Sequence, residues 1–261
     1  MTSSSADAFY DDVWQRFGEL DGMSPAGFHR RRLVRKLAQE FAPRAECLLD
    51  AGCGQGQLLF ELARALPGAR VAGADVSSES RRATKERCPS ADVFALDLLA
   101  SDFESQHSSR FGRYDLVVCS EVLEHLEDDA LAVGRLRQLL SPSGVLIVTV
   151  PGGGKSRFDE LIGHLRHYRR HELGTLLAAN GFQVERLWAW GFPFHNAYRT
   201  AVRVASRFAF SAPSAAPRSE KRGLEGWLKR GYELCGRLLR PLYYVNRPYW
   251  GEQLIAVARP H

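Results

Sequence analysis

Short apolar stretches alternate with helical hydrophobic patterns along most of the chain, from residue 46 to residue 190. This alternation predicts βαβ units around a doubly wound parallel sheet of the α/β class. We expect strands at Cys47–Ala51, Arg70–Asp75, Asp92–Ala95, Tyr114–Ser120, 144–150 and Phe182–Trp190. A last strand at 253–258 follows a long insertion. If that strand joins the sheet, it must run antiparallel beside the sixth strand.

The insertion is the least regular part of the chain. Residues 195–210 and 223–240 have the apolar spacing of two amphipathic helices, separated by a linker rich in Pro, Ala and Ser at 211–217. We therefore divide the chain into four parts. These are a helical lid and first helix (1–45), a Rossmann-like core (46–194), a basic helical insertion that covers the substrate (195–247) and the closing strand (248–261).

Positive charge is concentrated in this insertion. The whole chain carries a formal net charge of +5, whereas residues 195–247 contain eleven Lys or Arg and three Glu. Arg199, Arg203 and Arg207 recur every four residues and therefore share one stripe of a helix. Two interpretations stay open: the arginines face water while the apolar faces cover a cleft, or the basic and aromatic residues contact a membrane surface or an anionic substrate. A nucleic-acid substrate is disfavoured, because no recognised RNA-binding module accompanies the charge.

Cysteine usage and hydropathy indicate a soluble, cytoplasmic protein of undetermined oligomeric state. The five cysteines are scattered and form no C-x-x-C pair, so neither a disulfide framework nor a zinc ribbon is predicted. The first residues include acids and lack the basic and apolar regions of a secretory signal. No apolar run reaches the roughly 18 to 20 residues that a membrane-spanning helix needs.

A glycine-rich turn follows the first predicted strand. Residues 48–56 read LLDAGCGQG, which places Gly52, Gly54 and Gly56 where a ligand can approach the backbone closely. Dinucleotide-binding proteins share such a turn, but their fingerprint is G-x-G-x-x-G, and Gln57 stands in place of the last glycine here. The turn therefore predicts a different cofactor.

Two aspartates indicate what that cofactor is. Asp50 lies at the mouth of the turn, where a carboxylate repels a pyrophosphate but attracts the ammonium of a methionine moiety. Asp75 ends the second strand, where its carboxylate can accept hydrogen bonds from both ribose hydroxyls. Nicotinamide cofactors are disfavoured for this reason.

Four segments, LLDAGCGQG, GADVS, ALDLL and YDLVVCSEVLEHL, together resemble the class I S-adenosylmethionine-dependent methyltransferases, especially the bacterial small-molecule and quinone-type members. The resemblance covers residues 45–190 and the closing strand. It implies S-adenosylmethionine (SAM) as cofactor and a seven-stranded sheet whose last strand is antiparallel. It also implies that Asp97 caps the adenine amino group, that Leu98 makes a backbone contact, and that Ser120 and Glu121 border the methionine and the substrate.

In related quinone-type methyltransferases an arginine ahead of the first strand binds the methionine carboxylate, and by this resemblance Arg32 is the candidate. We interpret Arg30, Arg31 and Arg35 as a solvated helical face. The predicted donor site comprises Arg32, Asp50, Gly52, Gly54, Gly56, Asp75, Val76, Asp97, Leu98 and Ser120.

The candidate acceptor chemistry follows the fifth strand. Gly163, His164, Arg166 and Tyr168 match a G-H-x-R-x-Y element of related bacterial methyltransferases. We predict His164 as the general base and name Tyr168 and Glu121 as further catalytic candidates. The alternative is that His164 only holds this loop against the segment near Glu121. Glu124 and His125 are equally compatible with catalysis and with ordinary capping.

Methyl transfer from a sulfonium is a direct displacement that needs in-line geometry in a water-poor pocket. We expect no metal, because the sequence has no H-E-x-x-H motif and no Cys/His cluster at ligand spacing. Our leading interpretation is an O-methyltransferase for a small or lipid-like acceptor in bacterial secondary or envelope metabolism. The alternatives are an N-methyltransferase for an amine or peptide and a non-catalytic, cofactor-binding regulatory protein.

Overall fold

A computed structural model describes residues 9–11, 24–209, 241, 242, 245 and 250–261. Its sheet has seven strands: β1 Cys47–Ala51, β2 Arg70–Asp75, β3 Asp92–Ala95, β4 Tyr114–Ser120, β5 Leu140–Pro151, β6 Phe182–Trp190 and β7 Gln253–Pro260. The helices are α1 Pro25–Phe41, α2 Gln57–Ala65, α3 Ser78–Arg87, α4 Phe103–His107, α5 Asp129–Leu139, α6 Arg157–Leu161, α7 Arg170–Ala179 and α8 Phe194–Ala209. Short 3-10 turns lie at Ser108–Arg110 and Leu123–His125.

The strand order is β3-β2-β1-β4-β5-β7-β6. The pairs from β3 to β5 are parallel, and β7 is antiparallel to both of its neighbours. The predicted seven-stranded α/β sheet is therefore confirmed, including the antiparallel pairing of the last strand with the sixth. The last strand also pairs with β5, so it lies inside the sheet and not at its edge.

Alternate strand residues face two separate apolar cores. Leu48 of β1 packs on the side of α1 and α2, whereas its neighbour Leu49 packs on the side of α5 and α7. Leu116 and Val117 of β4 divide in the same way. Helices cover both faces of the sheet, so its carboxyl edge is left for ligands.

One strand boundary differs from the prediction. Strand β5 begins at Leu140, directly after α5, and not at residue 144. The Ser-Pro-Ser-Gly segment at 141–144 belongs to an irregular start of the strand, where the register against β4 shifts. Helix α1 begins at Pro25, because the Ser24 hydroxyl caps it and proline suits the first turn.

The described part of the insertion is helix α8. Outside the described residues lie the predicted linker at 211–217, the predicted helix at 223–240 and most of the N-terminal lid. The side chain of Arg207 is also not described. The interpretation that the stripe of arginines faces water is wrong at two positions. Arg199 donates two hydrogen bonds to Asp159, and Arg203 donates two to Glu252, because both carboxylates lie within reach of this face of the helix. No helix in the described ranges is long and apolar enough to cross a membrane.

Candidate active site

A cavity of about 300 Å³ opens along the carboxyl edge of the sheet. One end is formed by the turn after β1, with Asp50, Gly52 and Gly54 in its wall. The other end is formed by the loop after β5, the start of α8 and the first residue of β7. The residues of this second end are Pro151, Phe158, Asp159, Ile162, His164, His195, Tyr198, Arg199 and Gln253. The cavity thus has a donor half and an acceptor half, named after the substrates that we assign to them below.

The glycines of the donor half are required by the geometry of the turn. Gly52, Gly54 and Gly56 all have positive φ angles, which L side chains rarely adopt. A Cβ atom on Gly52 would overlap the Val122 side chain. The backbone N–H of Gly54 donates to Asp75 Oδ2 over 2.9 Å, so the second strand holds the turn in place.

Asp50 is a buried acidic residue in the wall of the donor half. Its side chain is 1% exposed, and neither oxygen has a hydrogen-bond partner among the described residues. Burial, followed by the negative charge of Asp75, raises the pKa of Asp50 to about 8. A carboxylate in this state gains free energy from a cation, as we expect for the ammonium of a methionine moiety.

Residues of the N-terminal segment lie beside the carboxyl end of β2. Asp75 accepts hydrogen bonds from the N–H groups of Gly54 and Ser77, and burial raises its pKa. Asp11 in turn accepts hydrogen bonds from the hydroxyls of Ser77 and Ser78. Asp75, Val76, Asp97 and Leu98 are not in the cavity wall, which at this end includes Tyr10. Their assignment to ribose and adenine stays a prediction.

The arginine that faces the cavity differs from the expected one. Arg30 and Arg31 are in the cavity wall and Arg32 is not. Arg30 Nη1 lies 3.5 Å from Glu121 Oε2, and Arg31 donates to Glu61 over 3.0 Å. Spacing from the first strand does not fix which face of α1 a residue occupies, because successive helix positions point about 100° apart. The assignment of Arg32 to the methionine carboxylate stays a prediction, and Arg30 lies in the cavity wall near Glu121.

Ser120 and Glu121 line the cavity, and their contacts with the methionine and the substrate stay a prediction. The Ser120 hydroxyl is 2.8 Å from the Thr149 hydroxyl, which also donates to Glu121 Oε1 over 3.0 Å. Glu121 has a φ of 57° and is the one non-glycine residue with positive φ among those described. Such a conformation is unfavourable without local contacts, and it turns the carboxylate of Glu121 into the cavity toward Arg30.

Three imidazoles form a cluster beside the acceptor half, with His125 and His164 in the cavity wall and His167 behind them. The rings of His125 and His164 meet edge to face with centroids 4.7 Å apart, and His164 Nδ1 lies 3.1 Å from His167 Nε2. Behind them, Glu124 is fully buried, and its Oε1 lies 3.9 Å from His164 Nε2. Burial, followed by the charge of Glu121, raises the pKa of Glu124 well above its usual range.

The structure changes the expected electrostatics of His164. Burial, followed by His125, lowers the pKa of His164 to about 3, and burial lowers the pKa of His125 to about 4. Both imidazoles are therefore neutral near pH 7, but each has a weaker affinity for a proton than a free histidine. Desolvation of the cluster causes this lowering of the pKa.

Tyr168 does not face the cavity. Its hydroxyl donates to the Leu123 carbonyl and to Asp129 Oδ2, the latter over 2.7 Å, and burial raises its pKa. Arg166 also pairs with Asp129, at 2.8 Å. Tyr168 and Arg166 therefore fasten the His164 loop to the segment after β4. These contacts support a structural role for Tyr168.

Side chains of the histidine cluster could hold a divalent cation. Glu124, His125 and His164 each offer one ligand atom, and these atoms lie within 4.8 Å of one another. The set of Asp159, His164 and His167 meets the same distance condition, but Asp159 already accepts hydrogen bonds from Arg199 and Ser156. Metal independence stays a prediction.

Several wall residues are absent from the predicted site. The cavity is also lined by Tyr10, His195, Tyr198, Arg199 and Gln253. Arg199 donates a hydrogen bond to Asp159 and so fixes the position of that wall residue. Although burial acts in the opposite direction, the Arg199 contacts hold the pKa of Asp159 near 2. Sequence spacing gave no signal for these residues, since they come from the N-terminal turn, α8 and β7. Only the four-residue arginine repeat could have drawn attention to Arg199.

A cavity that begins at a glycine turn and continues among imidazoles can place a methyl donor next to an acceptor. On this fold, that arrangement defines a class I SAM-dependent methyltransferase. The sequence matches the family described as "Methyltransferase domain" over residues 27–187, more than half of its length. The chain belongs to this family, and SAM is its cofactor. The predicted class, enzyme activity and methyl donor are thereby confirmed.

A curated relative and several solved structures agree with this assignment. Ubiquinone biosynthesis O-methyltransferase of Escherichia coli O9:H4 (strain HS) is 33% identical over 144 residues, which are 55% of this chain and 59% of that protein. The chain thus matches little more than half the length of this relative.

The solved structures share the fold at low sequence identity. A SAM-dependent methyltransferase of Thermotoga maritima, described as a possible histamine N-methyltransferase, has a TM-score of 0.56 at 11% identity and covers 96% of both chains. Phosphoethanolamine N-methyltransferase 2 of Haemonchus contortus, complexed with S-adenosylhomocysteine, has a TM-score of 0.55 at 17% identity, covering 91% of this chain and 54% of that one. The [4+2]-cyclase SpnF has a TM-score of 0.55 at 19% identity, and the match covers 88% of this chain and 81% of that one. The fold is therefore compatible with more than one chemistry, and the acceptor must be argued from the site.

Proposed function

We propose that this chain transfers the methyl group of SAM to a hydroxyl of a small or lipid-like, uncharged acceptor. The observation that carries this proposal is the neutral, desolvated imidazole cluster of His125 and His164 beside the junction of the two cavity halves. In this half Arg199 is already paired with Asp159, and at the junction of the halves Arg30 lies 3.5 Å from Glu121. A charged acceptor would bring an unbalanced charge into this environment, which is unfavourable.

In the proposed reaction, Asp50 and the glycine turn fix the donor, and the neutral imidazole of His164 accepts the hydroxyl proton as the oxygen attacks the methyl carbon. The sulfonium becomes a neutral thioether, and the proton stays on the imidazole until it is released to water. A low pKa makes His164 a weak base, so most of the rate enhancement must come from in-line orientation and exclusion of water. Glu121 would border the methyl group, and Tyr168 would position the His164 loop.

N-methylation of an amine is the second candidate. A neutral imidazole can also remove a proton from an ammonium, and one of the structural neighbours is described as a possible histamine N-methyltransferase. The curated relative favours oxygen, since it is an O-methyltransferase. The basic insertion supports a further proposal, that the protein contacts an anionic membrane surface to collect a lipid-like acceptor.

The test is to incubate the purified protein with methyl-labelled SAM and an extract of its host, and to identify the labelled product. A product with a methyl ether supports the proposal. A methylated amine would replace it with the second candidate. Absence of S-adenosylhomocysteine (SAH) formation with every fraction would favour a regulatory, non-catalytic role.

A further inference from the structure

A buried polar atom that lines a cavity and has no hydrogen-bond partner can be satisfied by a ligand. At the carboxyl edge of the sheet, the two Asp50 oxygens are accounted for by the donor ammonium. Gln253 presents a second case at the opposite end of the cavity. Its side chain is 5% exposed and lines the cavity, and its Oε1 has no hydrogen-bond partner in the described part of the chain. A buried carbonyl in this state costs about 1 to 3 kcal/mol unless a ligand satisfies it.

The position of Gln253 excludes the donor as its partner. Gln253 is the first residue of β7 and pairs with Pro151 of β5 and Trp190 of β6. Strand β7 is three strands from β1, which carries Asp50, and adjacent strands lie about 4.8 Å apart, a separation of roughly 14 Å. The methyl group must lie between these points, near Ser120 and Glu121. Gln253 therefore faces the part of the acceptor that is remote from the methylated atom.

A hydroxyl, which can donate and accept, suits this amide, and the surroundings indicate an uncharged partner. Arg203 and Glu252 beside Gln253 neutralise each other through two hydrogen bonds, as do Arg199 and Asp159. Tyr198 and Phe158 add aromatic surface to this part of the wall. A hydroxyl on a ring or chain satisfies the carbonyl without adding charge.

We propose that Gln253 is a specificity-determining residue whose side-chain carbonyl accepts a hydrogen bond from an acceptor hydroxyl other than the one that is methylated. This inference rests on the proposed function, since the occupant of this half is the methyl acceptor. Gln253 would then favour acceptors that carry at least two hydroxyls over acceptors that carry one.

The test uses calorimetric titration of SAH-saturated protein with phenol and its three dihydroxy isomers: catechol, resorcinol and hydroquinone. At least one isomer should bind the wild-type protein about fivefold more tightly than phenol, as expected for one hydrogen bond. Gln253→Met should remove that advantage and leave phenol binding and SAH affinity unchanged. Gln253→Glu, which keeps an accepting oxygen, should retain it. The matched control is Gln183→Met, a change at an exposed glutamine of β6 that should have no effect.

The inference is overturned if the wild type binds all four probes equally or binds none, if the advantage survives in Gln253→Met, or if that variant loses SAH affinity. Turnover is measured separately, as SAH formation from SAM with the tightest-binding isomer. If Gln253 governs binding but no SAH forms, the proposed reaction fails while the assignment of Gln253 stands.

Discussion

The two halves of the cavity are built in different ways. The donor half is local in sequence, because Asp50, the three glycines and Asp75 lie within 26 consecutive residues around one βαβ unit. The acceptor half gathers His125, His164, Arg199 and Gln253 from a turn, a loop, a helix and the last strand. A short motif can therefore fix the donor chemistry, while acceptor chemistry changes through distant parts of the chain. The following variants test whether the two halves act separately.

The largest expected effect is on turnover. His164→Ala should lower kcat by roughly 100- to 10,000-fold if this imidazole accepts the proton, with SAH affinity almost unchanged. Because burial lowers the pKa of His164 to about 3, the rate of the wild type should show no inflection near pH 6.5. His171→Ala, at an exposed histidine of α7, is the control. A collapse of SAH affinity in His164→Ala would place this residue in the donor half instead.

The next largest effect concerns Asp50. Asp50→Asn should weaken SAH binding by about 2 to 5 kcal/mol, because the variant removes one partner of a buried, hydrogen-bonded charge pair. The control Asp92→Asn, at an exposed carboxylate, should leave SAH affinity unchanged. Calorimetric titration measures the SAH affinity of both variants. Wild-type affinity in Asp50→Asn would mean that the donor ammonium binds elsewhere.

Asp75→Ala should weaken SAH binding by about 1 to 3 kcal/mol. The variant removes the proposed ribose contacts and also the acceptor for the N–H groups of Gly54 and Ser77. Equilibrium titration gives the value, and circular dichroism checks that the variant is folded. Unchanged affinity in a folded variant would contradict the ribose assignment.

The smallest effect is a dependence of donor affinity on pH. Since the pKa of Asp50 is about 8 in the free site, its carboxyl is largely protonated at pH 6 to 7, and an incoming ammonium lowers that pKa. Donor binding then releases a proton, so affinity rises with pH, by up to about tenfold per unit below the range where a free α-amine titrates. Calorimetry in buffers of different ionisation enthalpy counts the protons. We expect donor binding to release a proton from the wild type and none from Asp50→Asn. Equal proton release from both proteins would assign the proton to another group.

The difference between the halves also explains what the sequence could predict. Strand and glycine patterns placed β1, β2 and the donor turn because each depends on neighbouring residues. The sequence could not show that Arg30, and not Arg32, lines the cavity, since this depends on the rotation of α1 about its axis. The lowered pKa of His164 could not be predicted either, because desolvation depends on residues such as His125, which lies about 40 residues away. Gln253 gave no signal, since its role follows from the place of β7 between β5 and β6.

The most direct test of the division into two halves is a crystal structure of the protein with SAH. We expect the ammonium within hydrogen-bond distance of Asp50, the ribose at Asp75, and the sulfur directed toward Glu121 and the His125–His164 cluster. No atom of SAH should occupy the part of the cavity next to Gln253. Adenine or ribose among these histidines, or a carboxylate tail reaching Gln253, would contradict the account.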